Sequence, residues 1–525
     1  MRRFARSVSA VCSLAIVAGV VAPPATAKRD RPATPEWTVA RAAVVHGRDA
    51  GTAQRRPTSF EVFGTARPVT EDRASARAPA PRTPVPALGF DALADPNAVP
   101  ADPTGALGHD YFFAAVNTQA AVYDRTGALV VPPIQLADLH SGSAGRFAFD
   151  PKVVYDQFAE TFVLVYLVQS DRQRFSRIVA VAVPNATADD PGTWCATTFP
   201  GDLVPGKPRV WADYPGVGYN HDRVTIATNQ FTFPALQGRF RSAQVISVSK
   251  AQLYDCAVPV VPDVFAGSQT ADPNGIQAFT LQPAPTVDGS GPQHLLSLQL
   301  FDKRSYLVVW RIKNTRAGLR LQRATVGVGR TGLPPLGTQG GGSLTNADTY
   351  WDTGDERLIG AFHDVDDGAL YAAHAAFRDL RPDSITGAYP ESTIRWYEVR
   401  PARKLERSEL VRRGTIGAPE VDAGWPSLAT DADGTLFVTY SRASAVTGEF
   451  LSAWVAEVPP GMRAATQTLF APGLATYDAI PGPERWGDFT AINRDPVTPT
   501  RLATFNQYAF DPVSWQQVIH VVERG

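Results

Sequence analysis

The sequence predicts an all-β protein folded as a β-propeller, a ring of small antiparallel sheets called blades. Three observations support this prediction: short runs rich in β-branched and aromatic residues, turns rich in Gly, Asp and Asn between them, and a hairpin unit that recurs along the chain. One blade cannot bury both of its faces alone. Repeated hairpins of this kind are therefore expected to pack side by side and close into a ring.

The recurring unit combines a turn-rich segment, usually marked by an aspartate, with a following strand-like run such as residues 162–166 or 436–440. Successive copies are spaced by roughly 50–75 residues, a period typical of propeller blades. Seven starts predict seven blades, and six blades remain possible if the short first copy completes another blade. The copies start at Asp102, Asp150, Asp213, Asp272, Asp348, Gly424 and Asp488.

Ring closure is predicted from the two ends of the folded region. Residues 515–522 form a strand-like run at the C-terminus, so the last blade is expected to take its remaining strand from residues near 85–95. An array of β-sandwiches is the alternative architecture, but such an array usually shows evenly spaced domains joined by linkers. The sequence shows no such linkers between its copies.

The N-terminal part of the chain differs from the rest. Residues 1–27 have the pattern of a secretory signal peptide: three arginines, an apolar stretch and an Ala-Thr-Ala cleavage site, with an uncleaved anchor as the alternative. Residues 28–95 are rich in Pro, Ala and Arg and are predicted to form a flexible segment, and residues 96–525 the propeller domain. No second long apolar segment follows, so we expect a secreted protein without a membrane span.

Two cysteines, Cys195 and Cys256, remain after the signal peptide is removed. An oxidising compartment favours one disulfide between them, and two separate buried thiols are the alternative. Fifty basic against 51 acidic residues give a net charge of -1. This balance argues against a nucleic-acid-binding protein, which needs a dense cationic surface. We expect a monomer that binds a glycan or an extracellular protein.

The sequence contains no standard metal, nucleotide or nucleophile motif, so no cofactor is expected. Two groups of aspartates offer the hard oxygen ligands that Ca²⁺ prefers, but they lack the twelve-residue pattern of an EF-hand. Solvated turns are the other interpretation of these two groups. The groups are Asp364, Asp366 and Asp367, and Asp431 and Asp433.

The aspartates at the copy starts are expected to surround one mouth of the propeller axis. Acids that share a confined site repel one another, which raises some of their pKa values and can produce a general acid and a general base. Capping of backbone N–H groups is the alternative role. Neighbouring arginines could clamp a carboxylate, and neighbouring rings could stack on a sugar. The candidate residues are Arg146, Asp150, Arg209, Trp211, Asp213, Tyr214, Asp348, Trp425, Arg485, Trp486 and Asp488.

Three segments resemble secreted bacterial sialidase-like propellers of the Asp-box type, most closely their uncharacterised members. They are residues 150–156 (Asp-Pro-Lys-Val-Val-Tyr-Asp), 213–215 (Asp-Tyr-Pro) and 485–489 (Arg-Trp-Gly-Asp-Phe). A degenerate Asp-box follows at 364–371. The resemblance implies a propeller fold and an arginine triad that clamps a ligand carboxylate, here Arg146, Arg209 and Arg485.

The candidate residues lead to two hypotheses about function. In the first, the protein is a secreted propeller that binds a glycan or protein ligand at its central funnel. In the second, it is an extracellular glycoside hydrolase that uses a pair of funnel carboxylates. The fold does not decide between them, because propellers support many unrelated functions. Arg209, Arg485, Trp486 and Asp488 are predicted to share one funnel in either case, because copies three and seven order these residue types alike.

Overall fold

A computed structural model describes residues 83–525, except 203–208, 301–304, 317, 356 and 378–390. The predicted signal peptide and the part of the predicted flexible segment before residue 83 lie outside the described residues. Within the described part of the chain, the strands form seven small, almost entirely antiparallel sheets. Each sheet is one blade, so the prediction of a seven-bladed β-propeller is confirmed.

The first three blades each consist of four strands that follow one another along the chain. The described part of the chain starts with β1 (Val85–Asp91), which belongs to the last blade. Blades one to three then contain β2 (Thr104–Leu107), β3 (Tyr111–Val116), β4 (Gln119–Asp124), β5 (Leu129–Gln135), β6 (Phe147–Asp156), β7 (Thr161–Ser170), β8 (Phe175–Pro184), β9 (Cys195–Pro200), β10 (Val210–Tyr219), β11 (Arg223–Thr232), β12 (Phe240–Ser249) and β13 (Asp263–Ala266).

Blades four and five are linked by a strand that crosses between them. Blade four begins with β14 (Gln282–Pro283), but the next strand, β15 (Thr286–Val287), joins blade five, where Thr286 pairs in parallel with His363. The remaining strands of these blades are β16 (Gln293–Gln299), β17 (Ser305–Thr315), β18 (Gly318–Gly329), β19 (Gly360–Asp364), β20 (Ala369–Phe377), β21 (Ser392–Arg400) and β22 (Glu409–Ile416).

Blade seven is completed by the N-terminal strand. β1 pairs antiparallel with the C-terminal strand, with Leu88 opposite Val521, so the ring closes as predicted. The propeller thus includes residues that the sequence analysis assigned to the 28–95 segment. The strands of blades six and seven are β23 (Asp422–Thr430), β24 (Leu436–Ser444), β25 (Glu449–Val458), β26 (Thr466–Ala471), β27 (Ala491–Arg494), β28 (Arg501–Asp511) and β29 (Ser514–Glu523).

Among the residues that the structure describes, helical structure is limited to single turns. One α-helical turn, α1 (Lys250–Leu253), follows β12. In the described ranges, no helix has the length and apolar character needed to cross a membrane. The 3-10 turns are Leu136–Asp138, Ser141–Ser143, Asn185–Thr187, Pro191–Thr193, Ala235–Gln237, Gly267–Thr270, Ala347–Thr349 and Leu405–Arg407.

The hydrophobic core lies between neighbouring blades rather than within one blade. Phe113 of blade one packs on Phe162 and Trp194 of blade two, with ring centroids 5.7 Å and 5.3 Å apart. All three side chains are buried. Because each blade depends on its neighbours to cover its faces, the blades stabilise one another as a ring.

The innermost strands enclose a central channel with a cavity volume of about 100 Å³. Its walls are mostly aliphatic or small, and its charged lining residues are Lys152 toward one end and Arg494 toward the other. All seven blades contribute to the channel, through residues that include Ala106, Val153, Val217, Pro283, Ala361, Leu428 and Ile492.

Removal of β1 is expected to open the ring. Phe90 of this strand packs on Phe112 and Tyr123 at 5.4 Å and 5.3 Å, and its loss would expose both these rings and the edge of β29. A chain that starts at residue 92 should melt about 5–10 °C lower than a chain that starts at residue 83. Differential scanning calorimetry of the two chains measures this difference, and equal melting temperatures would show that β1 does not hold the ring closed.

The predicted disulfide is present and connects blades two and three. Cys195, at the start of β9, is bonded to Cys256, 61 residues later, and their Cα atoms are 5.5 Å apart. Replacement of both residues by alanine should lower the free energy of unfolding by about 4 kcal/mol, because the unfolded chain gains the freedom of the opened loop. Denaturant titration measures the loss. Two freely alkylated thiols in the native protein would contradict the assignment.

Candidate functional site

A bend at the start of the inner strands determines where the candidate residues lie. At Asp102, Asp150, Tyr214 and Trp425 the backbone φ lies between 50° and 55°, and a proline follows each residue. Residues other than glycine rarely adopt this left-handed conformation. At the last three positions the pairing register of the inner strand also shifts. Each such bend is therefore a β-bulge that redirects the strand at the end of the channel.

At two of these bends, Asp150 and Tyr214, the N–H group is held by a side chain of the preceding blade. Asn117 Oδ1 accepts a hydrogen bond from Asp150 N at 2.7 Å, and Asp150 Oδ2 accepts one from Tyr214 N at 3.1 Å. Asn229 Oδ1 likewise accepts from the N–H of Thr280, another left-handed residue, at 2.8 Å. Asp150 therefore fastens blade two to blade three, which is the capping role that the sequence analysis kept as an alternative.

Asp102 has the same role between blades one and seven. Its Oδ1 accepts from Asp488 N at 2.6 Å, and its Oδ2 accepts from the side-chain amide of Asn117. The Asp102 side chain is fully buried. Removal of this carboxylate would take an acceptor away from the Asp488 N–H and from the Asn117 amide. A buried donor that loses its acceptor lowers the free energy of unfolding.

Asp213 differs from the aspartates that fasten blades. When the copies are aligned on the proline, the residue equivalent to Asp150 is Tyr214, so Asp213 lies one position earlier. The N–H of Tyr214 donates to Asp150, and the neighbouring Asp213 remains partly exposed. It is therefore the copy-start carboxyl that is available at the mouth of the channel.

Arg485 joins two parts of this mouth. Its Nη2 donates to Oδ1 and Oδ2 of Asp488 at 3.0 Å and 2.9 Å, and its Nε lies 4.0 Å from Asp352 Oδ2. Asp352 comes from the loop before blade five, whereas Arg485 and Asp488 come from the loop before β27. The Arg485 guanidinium is therefore already paired with carboxylates of the protein, and its contact with an anionic ligand stays a prediction.

A second arginine, Arg357, lies beside Tyr214. Its guanidinium donates to both oxygens of Asp355 at 2.7–2.9 Å, and its Cζ lies 4.1 Å from the centre of the Tyr214 ring. The Tyr214 hydroxyl donates to Asp488 O at 3.0 Å. Below this layer, Lys152 Nζ lies 3.7 Å from the centre of the Phe489 ring. We call the whole group the axial cluster: Asp102, Asp150, Asp213, Asp352, Asp355, Asp488, Lys152, Arg357 and Arg485.

Several groups of the axial cluster have strongly shifted pKa values. Burial, reinforced by the charge of Asp488, raises the pKa of Asp102 to about 7. Burial also raises the pKa of Asp213 to about 7, although the charge of Arg357 opposes the shift. Burial lowers the pKa of Lys152 to about 7, against the pull of the nearby carboxylates. The cluster therefore exchanges protons close to neutral pH.

Arg146 and Arg209 do not lie in the axial cluster, which corrects the prediction that they share a funnel with Arg485. Arg146 Nε donates to Gln173 Oε1 at 3.2 Å, and Arg209 is exposed beside the outer strands of blade two. The reason is geometric. Arg209 precedes Asp213 by four residues, and an extended strand carries it roughly 13 Å away over that distance.

Two predicted aspartates also lie away from the axis. Asp348 is exposed in the 3-10 turn Ala347–Thr349, and Asp352 occupies the mouth in its place. Asp272 is buried in its own turn, where its Oδ1 accepts from the N–H groups of Asn274 and Ile276 at 2.8 Å and 2.9 Å. In both copies the first aspartate belongs to a turn ahead of the inner strand rather than to the strand itself.

The predicted aromatic residues are buried and offer no ring face for a sugar. Trp211 packs between Phe149 and Phe231, and its Nε1 donates to Thr232 O. Trp425 Nε1 donates to Asp352 O at 2.7 Å, and Trp486 Nε1 donates to Ser441 Oγ at 2.9 Å. All three, together with Tyr214, are at most 6% exposed. These side chains join blades, because a large ring at an inner-strand start fills the wedge between neighbouring sheets.

Sequence reasoning missed Lys152, Arg357, Asp352 and Asp355. Lys152 has a sequence signal, since it directly follows the Asp150-Pro pair that marks the start of the inner strand. Arg357 and the two aspartates lie on an irregular loop between β18 and β19, for which no strand period exists. Only the folded ring brings that loop to the axis.

The two aspartate groups considered for calcium use their carboxylates in other ways. Asp364 Oδ2 accepts from Arg494 Nη2 at 2.6 Å and from Thr430 Oγ1 at 2.7 Å. Asp431 Oδ1 accepts from Thr435 N at 2.8 Å, as in an ordinary turn. No group of three or more His, Cys, Asp or Glu residues arranged to hold a metal ion occurs in the described ranges.

Comparisons with known proteins add no information on function. No family model and no curated protein matches the sequence. Among solved structures, a Dyadobacter fermentans protein of unknown function has 9% identity and a TM-score of 0.39, over 72% of this chain and 95% of that one. A Fusarium graminearum GH93 α-L-arabinofuranosidase has 9% identity and a TM-score of 0.39, over 84% and 97%. A mutant Trypanosoma rangeli sialidase with trans-sialidase activity has 10% identity and a TM-score of 0.34, over 77% and 57%.

The raised pKa of Asp213 predicts a pH-dependent stability. Between the ordinary carboxyl pKa and about 7, Asp213 is protonated in the folded protein but ionised in the unfolded chain. The contribution of Asp213 to the free energy of unfolding therefore falls as the pH rises through this range. Asp213→Asn should therefore stabilise the protein at pH 8 by about 1–2 kcal/mol and have little effect at pH 4. Denaturant titrations at both pH values test this. Asp348→Asn is the control, and a difference independent of pH would contradict the assignment.

Proposed function

We propose that the protein is an exported glycan-binding propeller whose ligand enters the mouth over the axial cluster and is held through its hydroxyl groups. The observation that carries the proposal is the partly exposed carboxyl of Asp213, which lies near Arg357 and Arg485 and is not used to fasten blades. A sugar hydroxyl can donate to such a carboxyl and accept from a guanidinium. Hydrogen bonds with charged partners are stronger than neutral ones.

Charge supports a neutral ligand rather than an anionic one. The axial cluster contains six carboxyl groups and three basic side chains, and Arg357 and Arg485 already hold Asp355 and Asp488. A ligand carboxylate would find both guanidinium groups already paired. It would also be repelled by the excess of carboxylates, and this repulsion weakens binding. The hydroxyl groups of a neutral sugar meet no such repulsion. The buried tryptophans leave hydrogen bonding, rather than ring stacking, as the means of recognition.

A glycan fits this mouth better than a protein partner does. Protein interfaces centre on apolar or aromatic anchors that become buried on binding. The partly exposed residues at the mouth are instead Asp213, Asp352, Asp355 and Arg485, all charged. Export is supported by the disulfide between Cys195 and Cys256, because such bonds persist in oxidising compartments.

Glycoside hydrolysis is the second candidate function, and one observation favours it. Asp213, with a pKa of about 7, retains a proton near neutral pH and lies near Asp488, which Arg485 holds through both oxygens. A carboxylic acid and a second carboxyl group on either side of a glycosidic bond are what hydrolysis requires. In this case Asp213 would donate the proton to the leaving oxygen.

One experiment tests the site and separates the two functions. An array of neutral oligosaccharides is probed with the wild type, Asp213→Asn and Asp348→Asn, and release of fluorogenic sugars is measured in parallel. At pH 8, above the pKa of about 7, the Asp213 carboxyl is ionised, and Asp213→Asn should weaken glycan binding about tenfold or more because one charge-assisted hydrogen bond is lost. Asp348→Asn is the matched control on an exposed turn and should bind like the wild type.

Binding and hydrolysis are distinguished by the activity that remains in Asp213→Asn. A binding propeller retains graded affinity in Asp213→Asn and releases no sugar, whereas a hydrolase loses nearly all turnover in this variant. If the wild type binds no neutral glycan and releases no sugar, or if both variants lose affinity equally, the axial mouth is not the binding site.

A further inference from the structure

A second pocket lies at the outer edge of blade two. The turn between β7 and β8 faces the start of β10 across a cavity of about 300 Å³. The two predicted arginines that lie outside the axial cluster are found at this edge. Arg209 lines the cavity, and Arg146 lies beside it over the ring of Phe175. We call it the rim pocket, and its lining includes Gln173, Arg174, Phe175, Arg177, Asp202 and Arg209.

The ring of Phe175 positions two arginine side chains at the rim pocket. The guanidinium carbon of Arg146 lies 4.2 Å from the centre of the Phe175 ring, and that of Arg177 lies 4.8 Å from it. A cation over an aromatic face is attracted by the electron density of the ring, so Phe175 holds two arginines beside the cavity. Positioned guanidinium groups lose less conformational entropy when they bind a ligand.

The rim arginines differ from the axial ones in their partners. Arg146 donates to Gln173 Oε1 and to Gly142 O, and Arg177 donates to Ser176 O, all neutral acceptors. Within the described ranges, no ion pair joins these two residues, Arg174 or Arg209 to a carboxylate. Asp202 is the one acidic residue among the lining side chains. Among its described lining residues the pocket therefore has an excess of positive charge, three arginines against one aspartate.

The rim pocket and the axial mouth open on the same face of the propeller. Phe147 pairs with Gln169 and Ser170 pairs with Phe175, so the β7–β8 turn lies at the end of blade two where β6 begins. The bend at Asp150 lies at that same end. One face of the ring thus combines an acidic centre with a basic edge.

We propose that the rim pocket binds an oxyanion, a carboxylate or sulfate group, through Arg177, Arg209 and Arg174. Planar guanidinium groups match the geometry of such anions and bind them through paired hydrogen bonds. The source of the anion is either a free inorganic ion or an acidic sugar. This binding is independent of the axial site and does not require the glycan proposed for it.

Isothermal titration calorimetry at constant ionic strength tests the proposal with two probes, inorganic sulfate and a trimer of galacturonic acid. The exported protein should bind at least one of them saturably. Arg209→Gln and Arg177→Gln should each weaken binding about tenfold. Arg320→Gln is the matched control, since Arg320 is an exposed residue of β18 in blade four and its loss changes the net charge equally.

The outcomes separate the sources and the sites. Equal affinity for both probes identifies a small-anion site, whereas tighter binding of the trimer identifies an acidic glycan as the ligand. Both results support the proposal. Absence of saturable binding to either probe overturns it, as does an equal loss in Arg320→Gln. Asp213→Asn should leave anion affinity unchanged, so failure of the axial proposal is measured separately. Arg209 is exposed, so its variant is expected to fold even if Arg177→Gln does not.

Discussion

The propeller depends on one interaction that recurs between its blades: a side-chain oxygen of one blade accepts the N–H of a bent inner strand on the next. Asn117, Asp150 and Asn229 provide this acceptor between successive blades, and Asp102 provides it where blade one meets blade seven. The strained left-handed backbone at these bends persists because the neighbouring blade holds it. These bonds fix blades one to four, and blade seven against blade one, and so also fix what these blades place around the axis.

The same interaction explains the electrostatics of the mouth. Carboxylates that hold backbone groups between blades are buried near the axis, and burial raises the pKa of Asp102 and Asp150. Lys152, Arg357 and Arg485 offset part of this accumulation of negative charge. Asp213 is displaced by one residue from the fastening position, so its carboxyl faces the mouth instead. The partly exposed carboxyl at the mouth thus arises where the repeat departs from its own pattern.

The architecture was predictable because it follows from local signals that repeat. Hairpins such as those around residues 150–170 and 422–444 show in the sequence as alternating turns and strand-like runs. Seven copies gave the number of blades, and the strand-like C-terminus indicated closure by a strand that the structure places at Val85–Asp91. The pairing of Cys195 with Cys256 was predictable from the count of cysteines, given the expectation of an oxidising compartment. Each of these features depends on residue type and spacing along the chain.

The composition of the site was decided by the tertiary structure. Residue types and their spacing were enough to predict the repeated blades and the closed ring, whereas of the predicted site residues the structure brings Asp150, Asp213, Arg485 and Asp488 together and leaves others apart. The sequence did not determine that Arg357 replaces Arg209 at the axis, or that Asp352 replaces Asp348. A shift of one residue turns a side chain to the other face of a strand, and a loop without a period reaches the axis only when the ring closes. The roles of individual side chains were therefore set by contacts between blades that lie far apart in the sequence.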